Sequence, residues 1–333
     1  MARRTQFSPI MLGLLSLVIA LPISECWSSE TDWYTPRYQG KSDALPAINE
    51  EMQNRVNAIV DEMNHPSDFP GFRLIHTNTE CDWNELNSKL GDRFRRPVYG
   101  QMEAFVAESP KVPKIKVTVD QSIYRVLPTI AYLPIKLGTY VNIGFAAHFT
   151  HDGLVIGSDK LGHFLDEGYY YYFLVHQLGR KIQEALKFGD FTENAYNGRW
   201  SSGIISYADL AANYEGYHFW LHSLGTPENR SLSKYFQCKD GVWDIKEKID
   251  IRNYLNAAWD EGMNCNAFRS RSMGEAFTNL ASTLEHETGK RYHCPVYPTL
   301  VPSMIQRYGE NAKYIIHPTL LNGYKRNSTN VSW

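Results

Sequence analysis

The sequence predicts a mainly α protein: a single globular helical domain with a few short strands and a disulfide-pinned C-terminal extension. Several segments combine helical apolar spacing with capping residues at their ends. Only Lys114 to Val119, KIKVTV, alternates as a strand should. Four cysteines follow an export leader, which in an oxidising compartment reads as two disulfides.

Residues 1–26 have the pattern of a signal peptide. Arg3 and Arg4 precede an uncharged apolar run from about Ile10 to Leu21, well short of the ~20 residues that would anchor it in a bilayer. Ser24 and Cys26 permit cleavage before Trp27, and the expected location is periplasmic or secreted. Glu25 stands where a lipoprotein signal wants a small residue, which disfavours a lipid anchor at Cys26. Residues 27–45 read as an irregular arm and 46–333 as the helical domain, with room for a C-terminal subdomain from about 240.

Along that domain, a first helix is expected from Pro46 to about Asn64, with Ile48, Met52, Val56, Ile59 and Met63 on one face. Asp82 and Glu85 form a capping box for a short helix through Leu90, stopped by Gly91. The segment 123–148 is the most apolar of the mature chain. Lys136, Pro128 and Pro134 argue against a spanning helix there, leaving a buried segment or a peripheral membrane contact. The clearest helix runs from Ser158 to about Phe188, before Gly189. The next is capped by Ser206, with Asp209 three residues on, and ends at Gly225 and Pro227. Ile251 to Met263 and Ser272 to Glu287 are also expected to be helical, the latter opened by Ser272 and Glu275.

After cleavage Cys81, Cys238, Cys265 and Cys294 remain. Three pairings are possible; Cys265 with Cys294 closes the shortest loop that also brackets a whole predicted helix, and would leave Cys81 with Cys238. None lies in a CxxC pair, so a cysteine zinc site or thiol nucleophile is disfavoured.

Composition narrows the function classes. With 43% hydrophobic and 21% charged residues the chain is neither disordered nor, at a mean hydropathy of −0.40, a polytopic membrane protein. A net charge of −2 argues against nucleic acid as a partner and leaves a small molecule or an envelope polymer as substrate. The 21 Tyr and 8 Trp are the least ordinary counts.

Two helices hold the candidate chemistry. Leu161, Phe164, Leu165, Tyr172 and Val175 share one face of the first, while Asp159, His163 and Glu167 stack at i, i+4 and i+8 on the other. That spacing lets either carboxylate orient the imidazole or share a metal with it. In the second helix Glu215, His218 and His222 cluster, and two histidines at i, i+4 can reach one ion. Asp209 and Asn213 form a third edge, although Asp209 also serves the capping box. The expected catalytic set is therefore Asp159, His163, Glu167, Asp209 and Asn213. The expected ligands of a divalent metal, zinc first, are Asp159, His163, Glu215, His218 and His222. A solvated helix face is the plain alternative for each stripe. His148, His151 and Asp152 add ligand types ahead of the first helix, and Trp259, Asp260, Glu261 and Asn264 read as a helix end. No GxSxG, P-loop, GxGxxG or HExxH pattern occurs.

The stretch GSDKLGHFLDEGYYYY at 157–172 resembles the D-K-x-x-H-F helix motif of bacterial envelope proteins, VanZ-like proteins and small periplasmic lipoproteins among them. Asp159, Lys160, His163 and Phe164 carry the resemblance. It implies an envelope location and a site at Asp159 and His163, and supplies no reaction. The two expectations are an exported helical hydrolase acting on an ester, phosphoester or glycoside, and a non-enzymatic envelope protein with an aromatic-rich binding surface. Tyrosines around both helices make a Tyr-lined cleft between them the expected form of the site.

Overall fold

A computed structural model of the chain describes residues 31–65, 80–96, 99–118, 120–126, 145–194 and 203–329. The signal peptide, the start of the arm and most of the 123–148 segment lie outside the described residues.

The arm is irregular as expected, but it is not peripheral. Trp33 is 2% exposed, and the Arg37 guanidinium donates to Asp260 Oδ2 at 2.7 Å in a buried ion pair. Helix α1 (Leu45–Asn64) opens on Pro46 and buries Ile48, Met52, Val56 and Ile59. Asp82 accepts from the N–H groups of Asn84 and Glu85 and so starts α2 (Trp83–Phe94). Gly91 does not stop this helix. Its missing Cβ instead leaves room for the Arg95 guanidinium, which lies 3.6 Å from the centre of the Tyr169 ring. Helix α3 spans Gln101–Glu108.

The KIKVTV stretch is no strand over its described length: it makes one bridge, Ile115 to His148. The strand it would need as a partner, β1 (His148–His151), pairs instead with β2 (Leu154–Gly157) in a hairpin turned by Asp152 and Gly153, whose φ angles are 48° and 79°. The expected single helix from Ser158 to Phe188 is two, α4 (Asp159–His176) and α5 (Ile182–Thr192). Gly179, at φ 64°, takes the left-handed conformation that ends α4. The apolar spacing runs on because both helices face the same core.

Strand β3 (Ile204–Ser206) leads into α6 (Tyr207–Leu224), whose ends are as expected: Ser206 Oγ accepts from the Asp209 N–H at 3.3 Å, and Gly225 has φ 64°. Strands β4 (Phe236–Lys239) and β5 (Val242–Ile245) form a second hairpin. Residues 251–263 are not one helix but two 3-10 turns, Ile251–Asn253 and Ala257–Trp259, followed by the single-turn α7 (Glu261–Asn264). Asp250, Asn256 and Asp260 each accept from the backbone N–H two residues on, so each restarts the chain before a helix can propagate. Strand β6 (Asn266–Phe268) pairs antiparallel with β3. Helix α8 (Arg271–Thr288) begins one turn position earlier than expected, capped by Ser270 rather than Ser272. Helices α9 (Val301–Tyr308), α10 (Ala312–Ile315) and α11 (Pro318–Thr329) complete the chain. Both expected disulfides, Cys81–Cys238 and Cys265–Cys294, are present.

The centre of the molecule is the α4–α6 crossing. Phe164 of α4 meets Phe219, Tyr254 and Trp259 at ring separations of 5.1, 5.4 and 5.2 Å, and Trp220 Nε1 donates to the Leu165 carbonyl at 2.9 Å. Gly168 and Gly216 stand where the backbones touch. A Cβ on Gly216 would lie 2.9 Å from Gly168 Cα and overlap the Phe164 carbonyl oxygen. No helix among the described residues is long and apolar enough to cross a membrane.

Gly216→Ala is therefore expected to destabilise the fold by about 2 kcal/mol or more, since an overpacked seam must spread two helices. Urea unfolding followed by tryptophan fluorescence measures it. A change below roughly 0.5 kcal/mol would contradict the close approach.

Candidate functional site

The first turns of α4 and α6 and the single turn of α7 converge on one ammonium. Lys160 Nζ donates to Asp159 Oδ2 at 2.6 Å and to Glu261 Oε1 at 2.7 Å, and pairs with Asp209 Oδ1 at 2.6 Å. All four residues are buried, with Asp209 the most exposed at 7%. Further donors support the carboxylates: Thr31 Oγ1 reaches Asp159 Oδ1 at 2.8 Å, Ser206 Oγ shares Glu261 Oε1 with Lys160 at 3.0 Å, and Asn266 Nδ2 reaches Glu261 Oε2 at 2.7 Å. Burial alone would discharge Lys160. The carboxylates of Asp159, Asp209 and Glu261 outweigh it and hold the ammonium well above its ordinary range. Lys160 is a fixed charge here, and no base.

His163 lies one turn beyond. Its Nε2 is 3.2 Å from Asp209 Oδ2, and its Nδ1 is 3.1 Å from Asn213 Oδ1 and 3.7 Å from Glu167 Oε2. Burial disfavours the imidazolium, but Asp209, Glu167 and Glu193 more than offset it and push His163 up to about 10. With Nδ1 protonated, Asn213 Oδ1 accepts from it. Turned over, the Asn213 amide would donate to the His163 and Asp209 carbonyls at 3.2 and 3.0 Å and meet Nδ1 as a donor, which requires a bare nitrogen. In the first orientation the amide oxygen faces only acceptors and the amide nitrogen only donors, and the turned one satisfies both.

Glu193 closes the site from the end of α5. It is 2% exposed, and no hydrogen bond or ion pair joins its carboxyl to another described residue. Burial first, then the neighbouring Asp209 charge, keep it protonated well above the usual carboxylate range, against the opposing pull of His163. Asp209 is the reverse case: burial would raise it, but His163 and Lys160 hold it below. Glu261, buried yet paired with Lys160, sits at about 7.

Two sets of ligand atoms thus fall within 4.8 Å of one another, Asp159 with Asp209 and Glu261, and His163 with Glu193 and Asp209. Asp159, His163, Asp209, Asn213 and Glu167 are brought together as the sequence implied, but as a buried centre rather than a wet helix face. Glu215, His218 and His222 belong to neither set. Glu215 is taken by the Arg307 guanidinium at 2.6 and 3.0 Å, His222 Nδ1 meets the Tyr254 hydroxyl at 2.8 Å, and His218 packs edge-on against Tyr214 and Tyr217. They lie on a different side of α6, so one metal cannot take ligands from both halves of the expected set. Burial holds both histidines neutral, down to about 4.

His148 borders the centre without belonging to either set and feels the charges of Asp159 and Lys160. It is fully buried, neither ring nitrogen has a partner among the described residues, and burial drives its pKa down to about 4. His151 is held at the surface by Asp43 at 3.0 Å and Asp152 at 3.4 Å. The tyrosines seal the helix seam rather than lining a cleft: Tyr171 and Tyr172 are each 1% exposed, and the Tyr172 hydroxyl is bound to the Gly225 carbonyl.

Sequence reasoning missed Lys160, Glu193 and Glu261 as members of the centre. Lys160 carried two signals, its place in the D-K-x-x-H-F motif and a cation next to Leu161 within an apolar stripe. Glu261 was visible only as part of an acidic helix end, and Glu193 had no signal. No protein-family model, curated protein or solved structure matches the chain.

Lys160→Met should cost about 3–5 kcal/mol at neutral pH by stranding three buried carboxylates, and the deficit should narrow on acidification as they protonate. Urea unfolding at two pH values reads both effects. For His163 the folded value of about 10 lies above the ordinary 6.5, so its contribution is complete below 6.5 and is lost as pH rises to about 10. The stability advantage of the wild type over His163→Gln should shrink across that window. An advantage independent of pH there would remove the imidazolium.

Proposed function

We propose that this protein is an exported hydrolase that cleaves an ester, phosphoester or glycoside bond with Asp209 as base and His163 or Glu193 as acid. The observation that carries the reading is the opposed titration of neighbours: Asp209 is held ionised while Glu193 and His163, within 4.8 Å of it, are held protonated. Such a split is what general acid and base catalysis near neutral pH requires. Water would lose a proton to the Asp209 carboxylate as its oxygen attacks the substrate, and the departing oxygen would take the proton from Glu193 or His163. Lys160 fixes one Asp209 oxygen and leaves the other toward His163. Asn213 and Glu167 orient the ring by its far nitrogen. Export is supported by the leader pattern and by two disulfides, which persist in oxidising compartments.

The rival reading, a non-enzymatic envelope protein, is favoured by the depth of the centre and by the rings along the outer edge of α6, where Tyr214 and Tyr217 pack against His218, and Tyr217 against His176. In that case the charges would only lock the fold. Assay of the mature chain against chromogenic esters, phosphomonoesters, phosphodiesters and glycosides, together with isolated envelope polymer, separates the two. Turnover that falls by about a hundredfold or more in Asp209→Asn and in Glu193→Gln is expected. Absence of turnover on every class would sink the hydrolase and leave the binding surface.

A further inference from the structure

A second concave site shares no residue with the charged centre. The arm over residues 36–43, the β1–β2 hairpin and the chain that follows α8 enclose a hollow of about 300 Å³, and every residue lining it is among the described ones. Two of those residues, Arg37 and Val155, are fixed from behind by Asp260, which accepts from the guanidinium at 2.7 Å and from the Val155 N–H at 2.9 Å. We propose that this hollow binds an acidic sugar, a hydroxylated ring of monosaccharide size carrying one carboxylate or phosphate. The site stands apart from the hydrolase reading.

Its charge preference follows from which lining groups are already spent. Asp43 is spent twice: Oδ1 accepts from the Leu45 N–H at 2.9 Å at the start of α1, and Oδ2 meets His151 Nδ1 at 3.0 Å. Lys41 and Lys290 are not spent. Neither ammonium has a carboxylate within 4 Å among the described residues, and Lys290 lies instead over the Tyr38 ring, 4.9 Å from its centre. Asp152, 3.4 Å from His151 Nε2 with its side chain 85% exposed, is the one lining carboxylate left with capacity to accept. Two free ammoniums against one carboxylate suit a ligand that brings a single negative group together with hydroxyl donors.

The walls suit a ring. Tyr38 has a φ of 72°, a left-handed conformation that a tyrosine adopts only at a cost. Tertiary contacts hold it there: its hydroxyl donates to the Arg291 carbonyl at 2.5 Å, and Tyr292 packs edge-on at 5.4 Å. The strained turn thereby makes the Tyr38 ring a wall of the hollow, beside Pro36 and Tyr297. The Tyr297 hydroxyl has no hydrogen bond to another described residue and is a further donor. Gly40 and Gly153, at φ 62° and 79°, also line the hollow, and a Cβ on either would meet nothing within 4 Å, so both turns leave it open. An apolar wall with a few placed polar groups is the usual form of a small-molecule site, and the volume, at the lower end of the range for such sites, fits one sugar unit.

The test is calorimetric titration of the mature chain with glucuronate, with glucose phosphorylated on its primary hydroxyl, and with glucose itself. At least one acidic sugar is expected to bind at one site per chain, and glucose to bind about tenfold or more weakly. Which acidic sugar binds tells carboxylate from phosphate. Lys41→Gln with Lys290→Gln should weaken that binding by about tenfold or more and keep the wild-type melting transition, since neither ammonium pairs with a carboxylate of the chain. Lys187→Gln, on α5, should bind as the wild type does. Absence of binding by both acidic sugars, equal binding by glucose, equal binding by acetate or inorganic phosphate alone, or full retention in the double lysine variant would each overturn the site.

Discussion

A charge carried into a protein core must be matched where it lands, and the buried ammonium of Lys160 imposes that condition on this fold. Its partners come from α4 itself, from the first turn of α6 and from the single turn of α7, so residues 159, 209 and 261 share one point in space. Apolar packing tolerates a slide of a fraction of a turn; a buried ion pair does not, because a displaced carboxylate leaves the ammonium unmatched. The Arg37 and Asp260 pair repeats the device one residue away, and Thr31 ties the arm to Asp159. The arm is thereby part of the core it follows, despite having no regular structure of its own.

The second requirement is closeness. Gly168 and Gly216 let the α4 and α6 backbones touch, and touching backbones bring the side chains of both first turns within bonding distance. With larger residues at that seam His163 would stand too far from Asp209 to share a proton. Once the turns meet, proximity itself splits the titrations. Asp209 is held ionised by His163 and Lys160, and Glu193 is kept protonated by the same burial that gathers them. Acid and base in one small volume is then a consequence of the packing.

Helices whose caps and apolar spacing agree were readable from the chain. Ser206, Asp209 and Gly225 bound α6, and Pro46 with its apolar series marks α1, because each signal lies within a turn or two of what it controls. Where two local signals competed the reading failed. Gly179 ends α4 inside an uninterrupted apolar pattern, Asp250, Asn256 and Asp260 break 251–263 into separate turns, and KIKVTV had the alternation of a strand but no free edge to join. The halves of the site behaved likewise. Asp159, His163 and Glu167 were visible as a stack on one helix, and Asp209 and Asn213 as an edge of another.

The sequence by itself determined the helical class, the main caps and the residue types available for chemistry, since these depend on neighbours along the chain. Only the tertiary structure decided which of those residues meet. Glu193 and Glu261 enter the centre from elements far from His163, while Glu215, His218 and His222, on the same helix as Asp209, face Arg307 and Tyr254 instead. Periodicity along one helix states which side chains share a face. It carries no information about what faces them, and whether a carboxylate is a proton carrier or the mate of a guanidinium depends on that.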